Sequence, residues 1–128
     1  MTKITKPSQT EMQAADVVNF IQLCEQNDIE VYVDGGWGVD ALLGKQTRTH
    51  GDLDIALPHR FVPNLRKLLE TRGYKDVERD DTRDCNFVLG DNSGHLIDIH
   101  LMKRATIYLV LHTSQDILLG QVRLMGTL

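Results

Sequence analysis

Residues 34–54 of this chain read DGGWGVDALLGKQTRTHGDLD. Just before this stretch, residues 30–33 are rich in β-branched side chains and predict a strand. Within it, residues 37–43 have the pattern of a short helix that Gly44 terminates. At its end, acidic and apolar residues alternate over 52–57 and predict a second strand. The stretch therefore predicts a strand, a helix, a polar loop and a strand in succession.

The flanking sequence predicts further helices and strands that complete a small domain. Apolar residues at helical spacing predict a helix over 10–28, with Thr10 as its N-cap. A second helix is expected over 62–71, capped by Gly73. Three more strands are expected, over 74–79, 85–89 and 95–102, with a turn at 91–94. The order α-β-α-β-α-β-β-β predicts a mixed α/β (α+β) fold, a small mixed sheet with helices packed on it.

Composition narrows the class of protein. The 128 residues carry 14 basic and 18 acidic side chains, a net charge of −4, which argues against binding nucleic acid by bulk electrostatics. Hydrophobic residues make up 41% and charged residues 25%, which excludes disordered and fibrous classes and fits one globular domain. Cys24 and Cys85 show no disulfide or zinc spacing, and no apolar run is long enough to span a membrane. We therefore expect a soluble, cytoplasmic protein without a membrane partner.

Gly35 and Gly36 lie where the first predicted strand passes into a helix. Without a Cβ atom the backbone can approach a phosphate closely, and a helix N-terminus offers free N–H groups and a favourable dipole. A tight turn that binds nothing is the more frequent reason for such a pair. The glycines alone leave both interpretations open.

Three acids have positions that suggest a metal site. Asp52 and Asp54 point to the same face of their predicted strand, where two carboxylates repel unless a cation such as Mg²⁺ lies between them. Two solvated acids at a sheet edge are the alternative. Asp98 is flanked by apolar residues in a later strand, where an unpartnered acid is costly. If the two strands adjoin, the three carboxylates can hold two metal ions for an in-line phosphoryl displacement.

In combination, these residues resemble the signature of the DNA polymerase beta-type nucleotidyltransferase superfamily. The fuller pattern GGWxxDxxxGxxTRxHxDxD, present at residues 35–54, is similar to the small antibiotic nucleotidyltransferases, namely the lincosamide enzymes and the aminoglycoside-2''-adenylyltransferases. The resemblance covers about residues 14–101. It implies a polymerase beta-type core.

The resemblance also implies an activity. A nucleoside monophosphate would pass from an NTP, expected to be ATP, to a hydroxyl of a small molecule such as an aminoglycoside or lincosamide, with release of pyrophosphate. Gly35 and Gly36 would cradle the triphosphate. Asp52, Asp54 and Asp98 would be the catalytic carboxylates and bind Mg²⁺, two ions being expected, with Asp98 as general base for the acceptor hydroxyl.

Other residues of the matching pattern have two interpretations each. Trp37, Arg48 and His50 are predicted to belong to the nucleotide-binding set. Alternatively, Trp37 packs the helix onto the sheet, and the loop of Arg48 and His50 is held by its own salt bridges. Asp40 is expected to fix that loop. His100 is either a neighbour of the metal ligands or simply a strand residue.

The last 24 residues differ from the rest of the chain, because they contain only two charged side chains, Asp116 and Arg123, and 13 apolar ones. They do not match the family's continuation. Codons can be chosen so that a shifted reading frame encodes a family-like segment, so we hypothesise that residues 105–128 are a frameshifted or truncated remnant. Such a tail is also expected to pair as an added strand or to form a homodimer interface. The alternative to an active enzyme is a catalytically silent fold that binds NTP or a partner protein without turnover.

Overall fold

A computed structural model describes residues 10–79 and 86–102, together with the backbone of 108–112 and 123–127. In these residues the helices are α1 (Ala14–Gln26), α2 (Gly35–Leu43) and α3 (Val62–Glu70), and a 3-10 turn, His59–Phe61, precedes α3. The strands are β1 (Tyr32–Asp34), β2 (Leu53–Leu57), β3 (Lys75–Val77), β4 (Asn86–Gly90), β5 (Leu96–Leu101), β6 (Tyr108–His112) and β7 (Arg123–Thr127). The predicted order of elements is confirmed through β5, and so is the mixed α/β fold class.

The described strands form one mixed sheet in the order β3-β4-β5-β2-β1-β7-β6. Its centre is the parallel pair β2 and β5, and β1 lies antiparallel to β2 on the other side. The backbone of β7 pairs parallel with β1 at Val33 and Leu124, and β6 pairs antiparallel with β7. The tail backbone therefore adds strands to the sheet, which is one of the two arrangements expected for it.

Helix α1 begins later than predicted, and the prediction of Thr10 as its N-cap is wrong. Gln13 is the N-cap, and its backbone N–H donates to the Asp16 carboxylate at 2.9 Å. Thr10 instead donates its backbone N–H to the Gly94 carbonyl at 2.9 Å and its hydroxyl to the Ser93 carbonyl. Thr10 therefore forms hydrogen bonds with a turn that is 83 residues away in the sequence and does not cap the helix that follows it.

Gly44 is the C-cap of α2, as predicted, with φ of 76° in the left-handed region that glycine enters at little cost. The prediction of Gly73 as the cap of α3 is wrong, because Thr71 is the C-cap and Gly73, with φ of 86°, lies two residues beyond it. The turn at 91–94 is also confirmed, because the Asp91 carboxylate accepts hydrogen bonds from the backbone N–H groups of Ser93 and His95. Cys24 is a free, buried thiol, whereas Cys85 lies outside the described residues.

The strand alternation separates the apolar core from the candidate site. On one face of the central strands, Leu53, Ile55, Ile97 and Ile99 are at most 1% exposed and pack with apolar residues of all three helices. The opposite face carries Asp54, Asp98 and His100. No helix in the described ranges has the length and apolarity needed to cross a membrane.

Ile55 tests this arrangement, because it is fully buried at the centre of β2. We expect Ile55→Ala to lower the free energy of unfolding by about 2–4 kcal/mol, through lost burial and the cavity left behind. Val39→Ala is the matched control, since Val39 is 55% exposed on α2 and its change should stay within about 0.5 kcal/mol. Urea unfolding measures both. Equal losses for the two variants would contradict the assignment of this sheet face to the core.

Candidate active site

Three acids lie in one row across the sheet. Asp54 on β2 is in register with Asp98 on the parallel strand β5. On its other side, Asp54 is in register with Asp34 at the end of β1. Residues directly opposite each other on neighbouring strands face the same side of a sheet. The two strands that carry Asp54 and Asp98 are therefore neighbours, which places these acids side by side, and Asp34 lies on the same face of the sheet.

His100 lies beside this row, two residues after Asp98 on the same face. Its Nε2 atom is 3.4 Å from Asp98 Oδ1 and 3.7 Å from Asp54 Oδ1. One ligand atom from each of these three residues lies within 4.8 Å of the others, a grouping of the kind that holds a metal ion. Among the residues that the structure describes, Asp52 is not part of this group.

The carboxylate of Asp98 has an oxygen that suits a cation. Its Oδ1 atom is buried and accepts no hydrogen bond in the described part of the chain. Burial raises the pKa of Asp98, and Asp54 and Asp52 raise it further, while His100 opposes them. An interaction with Asp54 is the main cause that raises the pKa of His100. An unsatisfied buried oxygen among like charges is costly, so the donor set fits a divalent cation.

Asp52 interacts electrostatically with both acidic and basic side chains. Burial raises the pKa of Asp52, with Asp54 as the second cause, whereas Arg79, Arg48 and His50 lower it. Of the three predicted carboxylates, those of Asp54 and Asp98 lie together with His100, and that of Asp52 is outside this group in the described residues.

Gly35 is required where α2 meets Asp54. Its φ is +61°, and a Cβ atom added there would overlap the Asp54 carboxylate. The structure places both glycines inside the first turn of α2, which begins two residues before the predicted start. The close approach of backbone to carboxylate is thus a second reason for glycine, in addition to the phosphate cradle expected from the sequence.

The first turn of α2 is open to an anion. Asp34 is its N-cap but makes no capping hydrogen bond through its side chain, and no acidic residue lies in the first turn. An added Cβ at Gly36 would lie 2.7 Å from Arg48 Nη2, so the exposed Arg48 guanidinium lies against this turn. Free N–H groups and a neighbouring guanidinium favour phosphate at such a position.

Trp37 and His50 lie behind the site, 1% and 2% exposed. The Trp37 indole N–H donates to the Met12 carbonyl at 3.0 Å, and its ring centroid is 4.6 Å from that of His50. Direct contact with a nucleotide would require both rings to leave the core. The structure therefore favours the packing alternative for Trp37 and the ion-pair alternative for His50, and it leaves Arg48 as the exposed member of the predicted nucleotide-binding set.

Asp40 organises the loop that follows α2, as expected. Its buried carboxylate accepts hydrogen bonds from the Thr47 backbone N–H at 3.0 Å and the Thr47 hydroxyl at 2.5 Å, and it pairs with His50 Nε2 at 2.5 Å. Burial by itself raises the pKa of Asp40, but the hydrogen bonds from Thr47 and His50 outweigh it and lower the pKa to about 2.

Two residues of this face were not assigned to the site from the sequence. Asp34 precedes the pattern at residues 35–54 and has no predicted role, and His100 has two interpretations. For His100 the signal was available, because it follows Asp98 by two residues and so shares its face. For Asp34 it was not, since the antiparallel register of β1 and β2 follows from tertiary pairing.

A model of the aminoglycoside-2''-adenylyltransferase family matches residues 16–107. The chain belongs to this family. A lincosamide resistance protein from Staphylococcus haemolyticus is 42% identical over 55 residues, 43% of this chain and 34% of that protein. A 2''-aminoglycoside nucleotidyltransferase from Escherichia coli is 28% identical over 69 residues, 54% of this chain and 39% of that protein. The matches thus span little more than a third of these relatives.

Solved structures support the fold. The lincosamide antibiotic adenylyltransferase LnuA, in a lincomycin-bound crystal structure, has a TM-score of 0.75 at 22% identity, covering 91% of this chain and 82% of that one. The aminoglycoside enzyme ANT(2")-Ia, in complex with adenylyl-2"-tobramycin, has a TM-score of 0.70 at 20% identity, covering 88% and 68%. The chain therefore has the fold of this family over most of its length.

Gly35→Ala tests the close approach of α2 to Asp54. Gly73→Ala is the matched control, because Gly73 also has positive φ but open space around its Cα. The control should cost about 1 kcal/mol from backbone strain alone. Gly35→Ala should cost more, and it alone should weaken divalent-cation binding, measured by calorimetry, because the Asp54 carboxylate must move. Equal stability losses with unchanged cation binding in both variants would contradict the contact.

The buried Asp40 carboxylate should stabilise the fold in a pH-dependent way. Its pKa is lowered from 3.8 to about 2, so its contribution is present above the ordinary value and is lost as the pH falls towards 2. We expect about 2 kcal/mol of the free energy of unfolding to disappear over this range, and Asp40→Asn to lack this component. Asp76→Asn, at an exposed pair with Arg66, is the control and should change little. Denaturant unfolding from pH 5 to pH 2 checks this; identical acid profiles for wild type and Asp40→Asn would refute it.

Proposed function

We propose that this chain transfers a nucleoside monophosphate from an NTP, with ATP preferred, to a hydroxyl group of an aminoglycoside or lincosamide antibiotic and releases pyrophosphate. The observation that carries the proposal is the in-register pair Asp54 and Asp98, because the Asp54 carboxylate lies against the N-terminus of α2 and Asp98 has a buried oxygen that accepts no hydrogen bond among the described residues. The family membership and the names of its relatives, which include lincosamide and aminoglycoside enzymes, support the same reaction class.

The carboxylates have two roles in the proposed reaction, binding of the metal and acceptance of a proton. Asp54 and Asp98, together with Asp52, would hold Mg²⁺, two ions being expected, and a bound ion would offset the negative charge of the triphosphate. Asp98 is the general base that accepts the proton of the acceptor hydroxyl.

The phosphates of the NTP bind beside the carboxylates. The N–H groups of the first turn of α2 and the Arg48 guanidinium meet the negative oxygens and orient the α-phosphate for attack. Trp37 and His50 lie beneath the site. Trp37 packs against His50, and His50 contacts Gly36 and belongs to the loop that carries Arg48. These two residues position the site without contacting the nucleotide.

The acceptor is proposed from charge. Asp34, Asp54 and Asp98 give this sheet face an acidic row, which suits a polycationic aminoglycoside, and the net charge of the chain is −4. The same charge disfavours nucleic acid as a partner. We also propose a cytoplasmic location, where NTP is available, and a homodimer through the tail as the assembly to be tested.

A catalytically silent nucleotide-binding fold is the second candidate. It is favoured by one observation, the charge-poor residues 105–128, which do not match the family's continuation. In such a chain the residues that bind the nucleotide would be kept, while those that bind an acceptor would differ from the family's. Such a protein would bind NTP with Mg²⁺ and release no pyrophosphate with any acceptor.

Pyrophosphate release with a panel of aminoglycosides and lincosamides distinguishes the two candidates. We expect Mg²⁺-dependent release with at least one acceptor, and a loss of about 100-fold or more in Asp54→Asn and in Asp98→Asn. Asp28→Asn, at an exposed residue after α1, is the matched control and should keep wild-type activity. Activity retained in Asp54→Asn would refute the carboxylate assignment. NTP binding without release for every acceptor would establish the silent fold instead.

A further inference from the structure

His100 faces two carboxylates at once. Its Nε2 atom lies 3.4 Å from Asp98 Oδ1 and 3.7 Å from Asp54 Oδ1, both longer than the 2.7–3.2 Å of an ordinary N–H···O hydrogen bond. The ring nitrogen therefore lies at similar distances from two oxygens, one from each carboxylate, and the three atoms form one group.

These distances correspond to donor atoms around a common ion. Two donors, each about 2.1 Å from one metal, are about 3.0 Å apart at a right angle and about 3.4 Å apart at a tetrahedral angle. Mn²⁺ and Mg²⁺ prefer octahedral coordination, in which neighbouring donors lie at right angles. The two His100 separations exceed the right-angle value by less than about 1 Å, so a small inward shift of the imidazole brings the three donor atoms around one ion. The third donor, Asp98 Oδ1, is buried and accepts no hydrogen bond in the described residues, so a metal has no other partner to displace there.

Burial also favours this set. The side chains of Asp98 and Asp54 are 19% and 24% exposed, and that of His100 is 41% exposed. The carboxylates are therefore largely withdrawn from water, while the imidazole closes the group from the solvent side. Water retains access to complete the coordination of an ion.

We infer that His100 Nε2 is a third ligand of the divalent cation held by Asp54 and Asp98, and that the site prefers a transition-metal ion such as Mn²⁺ to Mg²⁺. The inference rests on the proposed function, whose metal site it completes. Its chemical basis is that Mg²⁺ favours oxygen donors, whereas an imidazole nitrogen increases affinity for transition metals.

The test measures metal binding without any turnover. Calorimetric titration of the full chain with Mn²⁺ and with Mg²⁺ gives the ratio of affinities, and pulsed EPR of bound Mn²⁺ detects a directly coordinated nitrogen. We expect nitrogen coupling in wild type and a lower ratio in His100→Ala, whose Mn²⁺ affinity should fall at least about tenfold while Mg²⁺ affinity changes less. His59→Ala, at an exposed histidine of the 3-10 turn, should keep both signals.

Two further variants separate the outcomes. His100→Gln keeps the bulk of the side chain, so with a native circular dichroism spectrum it should still lose the nitrogen coupling. If wild type shows no nitrogen coupling while Asp54→Asn abolishes Mn²⁺ binding, the role of His100 is overturned and the carboxylate site of the proposed function stands. If Asp54→Asn binds Mn²⁺ as wild type does, the ion binds elsewhere and both proposals fail.

Discussion

The buried carboxylate of Asp40 is the constraint on which the site side of the molecule depends. It lies inside α2 and accepts the hydrogen bonds that fold residues 45–50 back along the helix. That loop brings His50 under Gly36 and Arg48 against the helix N-terminus, and it then leads directly into β2. A buried charge is tolerated only when its hydrogen bonds are satisfied, so Asp40 and its partners form as a unit.

The two faces of the sheet have different roles, since one packs in the core and the other carries the candidate site. Odd-numbered residues of β2 and β5 build the core, which supplies the stability, whereas the opposite face carries Asp54 and Asp98, whose charges would weaken any core. Because Asp34, Asp54 and Asp98 lie on three neighbouring strands, their spacing is set by backbone hydrogen bonds and not by flexible loops. A site built on paired strands is held more precisely than one built on loops, which suits metal-dependent phosphoryl chemistry.

Much of this arrangement follows from local patterns in the sequence. Period-two alternation predicts the faces of β2 and β5, and the glycine at 44 marks a helix end because few other residues enter the left-handed region. Tertiary contacts explain the differences. Thr10 bonds to the distant turn at 93–94 and not to the helix it precedes. The burial of Trp37 and His50 involves a tilted contact between their rings that no local sequence pattern encodes.

The pairing of β7 with β1 bears on which sequences this side of the sheet can accept. The contact joins backbones in parallel at the residue before Asp34, so it depends on main-chain N–H and C=O groups and is largely indifferent to which side chains the added strand carries. A segment of unrelated sequence can therefore occupy this edge as long as it is extended and apolar enough to stay there. The pairing position beside β1 thus tolerates many sequences in the strand that occupies it, while the strands that carry the carboxylates tolerate no comparable exchange.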